Sequence, residues 1–226
     1  MELNFKKALI FDSSSLITLN MINMLDILKK LKENFDGEFL ITNEIYKEIV
    51  TVPINIKKYE IRALIFNKII NDGTIKIIKN NKVDSLTGEI LRKANNIFRV
   101  KNQNINIIHR GEASCIALYN LINGKKALVI DERTTRLLLE SPEKLKMLLE
   151  NKLHTNINFN KKIAEEFLNM NAKIIRSSEI LYYAFKNNKI ELTNGKKIII
   201  DALLYASKAY GCSISEIEIE KLKKLN

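Results

Sequence analysis

The sequence has few of the residues that cross-link or interrupt a polypeptide chain. Its 226 residues include two cysteines, two prolines, seven glycines and no tryptophan. Two cysteines are too few for a disulfide scaffold, and no repeat, low-complexity segment or Gly- and Pro-rich linker is visible. Since a chain of this length buries roughly 70% of its unfolded surface, we expect a compact protein held together by a hydrophobic core.

Long hydrophobic runs are also missing. The longest uncharged stretch near the amino end, residues 13–25, has 13 residues, whereas a membrane-spanning helix needs about 20. Glu2 argues against a signal peptide, whose amino end is usually basic. We therefore expect a cytoplasmic protein that does not enter a membrane.

Acidic residues are in the minority. The chain has 37 Lys and Arg against 26 Asp and Glu, a formal net charge of +11. An excess of cations favours a polyanionic partner such as RNA, because cations clustered on one face release counterions from phosphates. A Lys- and Ile-rich composition is also typical of thermophilic proteins, and the net charge alone does not separate the two interpretations.

Apolar runs typical of buried strands alternate along the chain with helical patterns. This alternation predicts an α/β fold in which helices cover a parallel sheet. The alternation weakens near residue 152, so we expect a core at residues 1–155 and a carboxyl-terminal extension, packed on that core, at residues 156–226. The predicted strands are residues 8–11, 39–42, 74–78, 127–130 and 172–175. The predicted helices are residues 14–32, 43–50, 56–70, 85–96, 110–121, 132–139, 142–151, 161–169, 178–187 and 197–210.

Two of the predicted strands end in an aspartate. Asp12 follows the first strand and precedes three serines, and Asp131 follows the fourth strand. The carboxyl ends of parallel strands meet at one edge of the sheet, where open α/β folds bind their ligands. A single Asp in such a turn most often caps a helix, but two at one edge indicate a site. Glu132 is explained by the dipole of the helix that it begins.

Two helices carry further acids. In ITNEIYKEIV, Glu44 and Glu48 lie four residues apart, a spacing at which like charges repel. The helix dipole explains Glu44 in the first turn, whereas Glu48 either faces solvent or serves a site. In RGEASCIALYNL, small residues let the helix approach the sheet, and Glu112 lies beside them. Burial of Glu112 is costly without a cation or strong hydrogen-bond donors, so Glu112 is a candidate site residue. The alternative is that Glu112 is simply an acid that the helix dipole favours in the first turn.

These acids, if they meet, form a candidate metal site. Neighbouring carboxylates either take up protons or hold a divalent cation, and oxygen ligands favour Mg²⁺ or Mn²⁺. His109 and His154 are not spaced as zinc ligands with each other or with the cysteines, and Cys115 is typical of a small buried residue. The candidate carboxylates are Asp12, Glu48, Glu112 and Asp131.

The segments IFDSSSLITL, ITNEIYKEIV, RGEASCIALYN and ALVIDERTTR, in this order, resemble the PIN-domain nucleases, particularly prokaryotic members with a GEA helix and a DER-like turn. The resemblance implies a three-layer α/β/α sandwich that hydrolyses RNA with one or two Mg²⁺ or Mn²⁺ ions. Carried over by motif, the acidic quartet of the family falls on Asp12, Glu48, Glu112 and Asp131, and Ser14 supports the metal site. Two alternatives stay open: Glu44 in place of Glu48, and Glu132 sharing the role of Asp131.

The resemblance also implies an RNA-binding surface. Arg133 and Arg136 are candidates to hold the scissile phosphate, and Arg99, Lys101 and Arg110 are candidates to follow the RNA backbone. The chain after residue 152 is longer than in the short toxin members of the family, which leaves open a protein inhibitor (antitoxin) or a homodimer as partner.

Three other functions fit the sequence less well. Phosphatases of the haloacid dehalogenase type have a second Asp two residues after the first, where this chain has Ser14. A dinucleotide-binding domain needs a Gly-rich turn after the first strand, and DSSS has no glycine. A non-catalytic RNA-binding or assembly protein that keeps the fold should have lost some of the acids, and all four are present.

Overall fold

A computed structural model describes the chain at residues 3–192 and 195–224. The fold is built on a sheet of five parallel strands. The strands in chain order are β1 Leu3–Phe11, β2 Glu38–Thr42, β3 Lys76–Ile78, β4 Phe98–Val100, β5 Gln103–Asn104, β6 Ile122–Val129, β7 Asn158–Phe159 and β8 Ile174–Ile175. The central sheet has the order β3-β2-β1-β6-β8, with every neighbouring pair parallel. Each of the five predicted strands overlaps one of these, and the predicted α/β fold is confirmed.

Helices cover the sheet and supply most of the remaining core. They are α1 Ser13–Met21, α2 Ile27–Lys32, α3 Asn43–Tyr46, α4 Glu60–Asn71, α5 Asn81–Ala94, α6 Arg110–Leu121, α7 Arg133–Glu140, α8 Pro142–Leu153, α9 Lys161–Leu168, α10 Ser177–Lys186, α11 Lys196–Ala209 and α12 Glu216–Lys224. A π-helical turn, Lys47–Thr51, and a 3-10 turn, Pro53–Asn55, connect α3 to α4. Helix α6 packs on β1 and β2, and α1 and α2 contact α10. Ile10, Leu40 and Leu128 of the sheet are fully buried.

The predicted single helix over residues 14–32 is wrong, because α1 ends at Met21 and α2 begins at Ile27. Asn23 has a φ of 56°, a left-handed conformation that asparagine adopts more readily than most residues. The amide of Met24 then donates to the carbonyl of Leu19 at 2.8 Å. The apolar residues of this turn continue the helical spacing, and the sequence pattern therefore conceals the break.

Other helix boundaries also differ from the predictions. Helix α4 begins at Glu60 rather than residue 56, because the 3-10 turn occupies the approach to it. Helix α5 begins at Asn81 rather than residue 85, because the side chain of Asn80 accepts a hydrogen bond from the Lys82 amide at 2.9 Å. Helix α12 and the small antiparallel sheet β5-β4-β7 were not predicted.

The carboxyl-terminal part of the chain joins the central sheet through β8, whose Ile175 lies opposite Val129 of β6. The division of the chain near residue 155 stays a prediction. None of the helices in the two described ranges combines the length and apolar character that a bilayer crossing requires. Glu2, on which the expectation of no signal peptide rests, lies outside the described residues.

Candidate metal and nuclease site

The site lies where β1 and β6, neighbours in the sheet, both end. Phe11 lies opposite Val129 in the register of these strands, and the amide of Asp12 donates to the carbonyl of Val129 at 3.0 Å. On one side of β1 the sheet continues to β2 and β3, and on the other to β6 and β8. Asp12 and Asp131 therefore follow the two strands at the point where the strand order reverses, which is where such sheets bind ligands.

Asp12 has the capping role that its position allowed, and it also has a second carboxylate oxygen that the cap does not use. Its Oδ2 caps α1 by accepting hydrogen bonds from the amide of Ser14 at 3.1 Å and from the hydroxyl of Ser14 at 2.5 Å. The residue is only 2% exposed, and its Oδ1 is a buried oxygen without a hydrogen-bond partner in the described chain. A cap satisfies one oxygen, and the other is left for a ligand.

The electrostatic environment of Asp12 opposes its ionisation. The pKa of Asp12 is raised from 3.8 to a net value of about 7: burial is the largest cause, hydrogen bonds from Ser14 lower the pKa, and repulsion from Glu112 and Glu48 adds to the rise. Three carboxylates thus interact across this edge of the sheet. A cluster of this kind is stabilised either by protons or by a cation.

Glu48 reaches the cluster from the π-helical turn Lys47–Thr51. Single π-helical turns occur often at functional sites, and the sequence pattern predicted an ordinary helix here. The residue as a whole is exposed, but its carboxylate packs against Gly111 of α6. Burial of the carboxylate raises the pKa of Glu48, a hydrogen bond with the Ser13 side chain lowers it, and repulsion from Glu112 raises it.

Glu44, the alternative to Glu48, is held in a different way. Its carboxylate forms ion pairs with Lys47 at 2.9 Å and with Arg110 at 3.2 Å. The hydrogen bond with Lys47 is the largest influence on the pKa of Glu44, which lies below its ordinary value. The negative charge of Glu44 is thus already compensated by two cations of the chain.

Glu112 is the third residue of α6, and its Oε2 accepts a hydrogen bond from the amide of His109 at 3.0 Å. This bond is the helix-capping role expected of an acid in the first turn. The carboxylate also acts electrostatically on both Asp12 and Glu48. Glu112 therefore belongs to the cluster and to the helix start at once.

Asp131 points toward α10 and is completely buried. Its Oδ1 accepts a hydrogen bond from the Ser177 amide at 2.8 Å, and its Oδ2 accepts one from the Ser177 hydroxyl at 2.6 Å. The Asp131 amide donates to the hydroxyl of Ser14 at 3.1 Å, which joins this residue to the cap of α1. The ligand role of Asp131 stays a prediction. Sequence reasoning did not include Ser177, which lies 46 residues further along the chain.

Glu132, the alternative to Asp131, caps α7. Its two carboxylate oxygens accept hydrogen bonds from the amides of Thr134 at 2.8 Å and Thr135 at 2.6 Å. Both oxygens thus serve the start of the helix, in agreement with the dipole argument made for Glu132 from the sequence.

The five candidate RNA-binding cations differ in their surroundings. Arg133 is exposed at the start of α7, and Lys101 is exposed in the turn between β4 and β5, with a φ of 46°. Arg99 donates to Asn104 Oδ1 at 2.7 Å. Arg136 is mostly buried and donates to the carbonyl of Ser213 at 2.7 Å. Arg110 is paired with Glu44, as described above. Arg133 and Lys101 are therefore freer for RNA than Arg136.

The donor set suits a hard divalent cation. Oxygen atoms from three mutually repelling carboxylates, one of them buried and unpartnered, are the chemistry that Mg²⁺ and Mn²⁺ prefer. Within the described ranges, no group of three or more Asp, Glu, His or Cys side chains is arranged so that it could hold a metal ion as it stands. The thiols of Cys115 and Cys212 are buried, and burial raises the pKa of each, which disfavours thiolate ligation.

Comparison with known proteins identifies the family. Searches of curated proteins and of solved structures found no significant match. A family model described as PIN domain matches residues 8–191, a range that contains all four candidate carboxylates, the end of β1 and the other four parallel strands. The narrower resemblance to members with GEA and DER segments stays a prediction. PIN domains are nuclease-like folds that generally use divalent metal ions, and this chain belongs to the PIN-domain family.

Proposed function

We propose that the protein is a divalent-metal-dependent endoribonuclease that hydrolyses phosphodiester bonds of RNA. The observation that carries the proposal is the unpartnered, buried Oδ1 of Asp12, which lies at the ligand-binding edge of the sheet in a cluster with Glu48 and Glu112. An oxygen in this state is costly to bury. A cation would supply the missing partner and would relieve the repulsion among the three carboxylates.

Asp12, Glu48 and Glu112 are the residues that we propose to hold Mg²⁺ or Mn²⁺. Bound divalent ions supply an activated water and stabilise charge on the leaving oxygen. Ser14 would orient Asp12, because its hydroxyl donates to Oδ2 and leaves Oδ1 for the ion. Asp131 would hold the edge of β6 against α10 through Ser177, and its predicted role as a fourth ligand would use the lone pairs that those hydrogen bonds leave.

RNA is the proposed substrate and partner. The net charge of +11 favours a polyanion, and Arg133 begins the helix directly after Asp131 and Glu132. A phosphate near the cluster would be within the field of this exposed cation. An antitoxin, a homodimer and a cytoplasmic location, which the sequence left open or favoured, also stay predictions.

The test is cleavage of single-stranded RNA with Mg²⁺ or Mn²⁺, with and without EDTA. Wild-type protein should cut only when the metal is present, and Asp12→Asn should reduce cleavage by orders of magnitude, because it removes charge from the ion site while nearly keeping the shape of the side chain. Asp84→Asn is the matched control, since Asp84 is an exposed acid of α5 and should have no effect. A wild-type protein that never cuts, over a range of metals, pH values and RNAs, would contradict the proposal.

A second candidate is an RNA-binding protein that keeps the fold without cutting. The engagement of both Asp131 oxygens by Ser177 favours it, because a carboxylate whose two oxygens already accept hydrogen bonds has fewer lone pairs left for a metal ion. Such a protein would bind RNA with a steep salt dependence and would show no metal-dependent products. Binding without cleavage therefore identifies this candidate.

A further inference from the structure

Gly111 leaves room for the carboxylate of Glu48. A Cβ atom built on Gly111 would lie 2.8 Å from Oε2 and 2.9 Å from Cδ of Glu48, and closer still to Oε1. Real Cβ atoms essentially never approach other atoms to less than 3.0 Å. Gly111 lies inside α6, where alanine is normally preferred to glycine. The glycine is therefore unfavourable for the helix itself and is explained by the neighbouring side chain.

A buried hydrogen-bond network fixes the elements that carry the two residues. Ser114 donates from its hydroxyl to the carbonyl of Gly111 at 2.6 Å, and its Oγ lies 2.6 Å from Oγ1 of Thr42. Because the proton of Ser114 goes to Gly111, Thr42 is the donor in the second bond. Thr42 also caps α3, since its Oγ1 accepts from the amide of Ile45 at 3.2 Å. The start of α6 and the start of α3, which leads to Glu48, are thus tied together.

The amino end of α6 is also a favourable place for an anion. The partial positive charge at the start of a helix stabilises a carboxylate there. This attraction opposes the repulsion that Glu48 experiences from Glu112, the residue after Gly111. Displacement of Glu48 from Gly111 would remove this attraction and leave the Ser13 side chain as the hydrogen-bond partner of the carboxylate.

We propose that Gly111 is a positioning residue, which holds the Glu48 carboxylate against the first turn of α6 because it has no Cβ. The tie between α3 and α6 prevents the helices from separating, so a side chain at position 111 displaces the carboxylate itself. The geometric part of this inference is independent of the proposed function. Its consequence for metal binding rests on that function.

The first test compares two Gly→Ala substitutions by thermal unfolding without metal. Gly88 is an exposed residue of α5, and a Cβ there meets no atom within 4 Å, so Gly88→Ala should raise the Tm by about 2 °C. Gly111→Ala should raise the wild-type Tm by less than Gly88→Ala does, because the new Cβ displaces the Glu48 carboxylate, the end of a flexible side chain, from the start of α6. In a Glu48→Ala background, where the obstacle is gone, Gly111→Ala should raise the Tm more than it does in the wild type.

This difference between the two backgrounds separates a clash with Glu48 from a general need for glycine. If Gly111→Ala alone does not fold, recovery of folding in the Glu48→Ala background is the equivalent result. A Gly111→Ala that changes the Tm equally in both backgrounds would overturn the proposal.

The second test measures Mn²⁺ affinity by titration. Gly111→Ala should weaken Mn²⁺ binding at least tenfold, to the level of Glu48→Ala, and the double variant should bind no more weakly than Glu48→Ala alone. Wild-type affinity in Gly111→Ala would overturn the positioning role. A wild type that neither binds Mn²⁺ nor cuts RNA would contradict the proposed function, and the difference in Tm between the two backgrounds would still decide whether Gly111 positions Glu48.

Discussion

The raised pKa of Asp12 makes the stability of the apo protein dependent on pH. Burial is the largest cause of the shift from 3.8 to about 7. Between these values the folded protein keeps a proton on Asp12 that the unfolded chain has lost, so the free energy of unfolding falls as the pH rises from about 4 to about 7. One unit of pKa shift corresponds to 1.36 kcal/mol, so the full loss above pH 7 is about 4 kcal/mol at most.

Asp12→Asn isolates this contribution. The amide has nearly the shape of the protonated acid and does not titrate, and its Oδ1 can accept the hydrogen bonds that Ser14 now donates to Asp12. Relative to the wild type, the variant should be about equally stable near pH 4 and more stable by up to about 4 kcal/mol at pH 8. Urea unfolding followed by circular dichroism, in EDTA at several pH values, measures the difference.

The same experiment with metal narrows this difference in stability. Saturating Mn²⁺, at 100 times its dissociation constant, should stabilise the wild type by about 2.7 kcal/mol and should have little effect on Asp12→Asn. Asp84→Asn should follow the wild type throughout. If the wild type and Asp12→Asn lose stability in parallel from pH 4 to pH 8, the carboxyl of Asp12 is not desolvated in the way described, and the argument for the cation site loses its main support.

Three further variants test the surroundings of the site. Ser14→Ala removes the acceptor of the buried Asp131 amide and should lower the free energy of unfolding by about 1–3 kcal/mol; an unchanged urea midpoint would contradict the network. Asp131→Asn can keep both hydrogen bonds to Ser177, with one reversed in direction. In an Mn²⁺ titration this variant should therefore lose much less affinity than Asp12→Asn does. An equal loss would establish Asp131 as a ligand. Arg99→Ala with Lys101→Ala should weaken RNA binding and reduce its salt dependence by roughly one counterion per lost phosphate contact, and an unchanged salt slope would exclude these residues from the RNA surface.

The sequence predicts the sheet well because its signal is local. Each of the five parallel strands contains a short apolar run, and burial on both faces of a parallel sheet requires such runs. The placement of Asp12 and Asp131 at one edge follows from the parallel order alone. The short strands β4, β5 and β7 have two or three residues each, too few for a recognisable alternation.

The geometry of the site depends on features that have no local pattern. The π-helical turn that carries Glu48 contains the same kinds of residue as an ordinary helix. The engagement of Asp131 by Ser177 joins residues 46 positions apart, and only the folded chain brings them together. Gly111 is visible in the sequence as a small residue of a packed helix, but its relation to Glu48 requires the position of α3.

The three serines after Asp12 each interact with a different set of acceptor atoms. Ser13 interacts with Glu48, and Ser14 donates to the Asp12 carboxylate. The hydroxyl of Ser15 is within hydrogen-bond distance of the backbone carbonyls of Asp12, at 2.9 Å, and Val129, at 3.0 Å. The serine run thus supports two of the candidate carboxylates and fastens the end of β1 to the end of β6.

The kind of donor distinguishes acids that can hold a cation from acids that cannot. The carboxylates of Asp12, Glu48 and Glu112 receive hydrogen bonds from neutral hydroxyl or amide groups, which orient a carboxylate without cancelling its charge. Glu44 lies in the same segment as Glu48 but is paired with Lys47 and Arg110. A metal ion would have to displace those cations from Glu44, whereas at the cluster it would meet uncompensated negative charge. This contrast is the physical reason to place the ion at Asp12, Glu48 and Glu112, and it explains why Glu44, four residues away, is not the ligand that we propose.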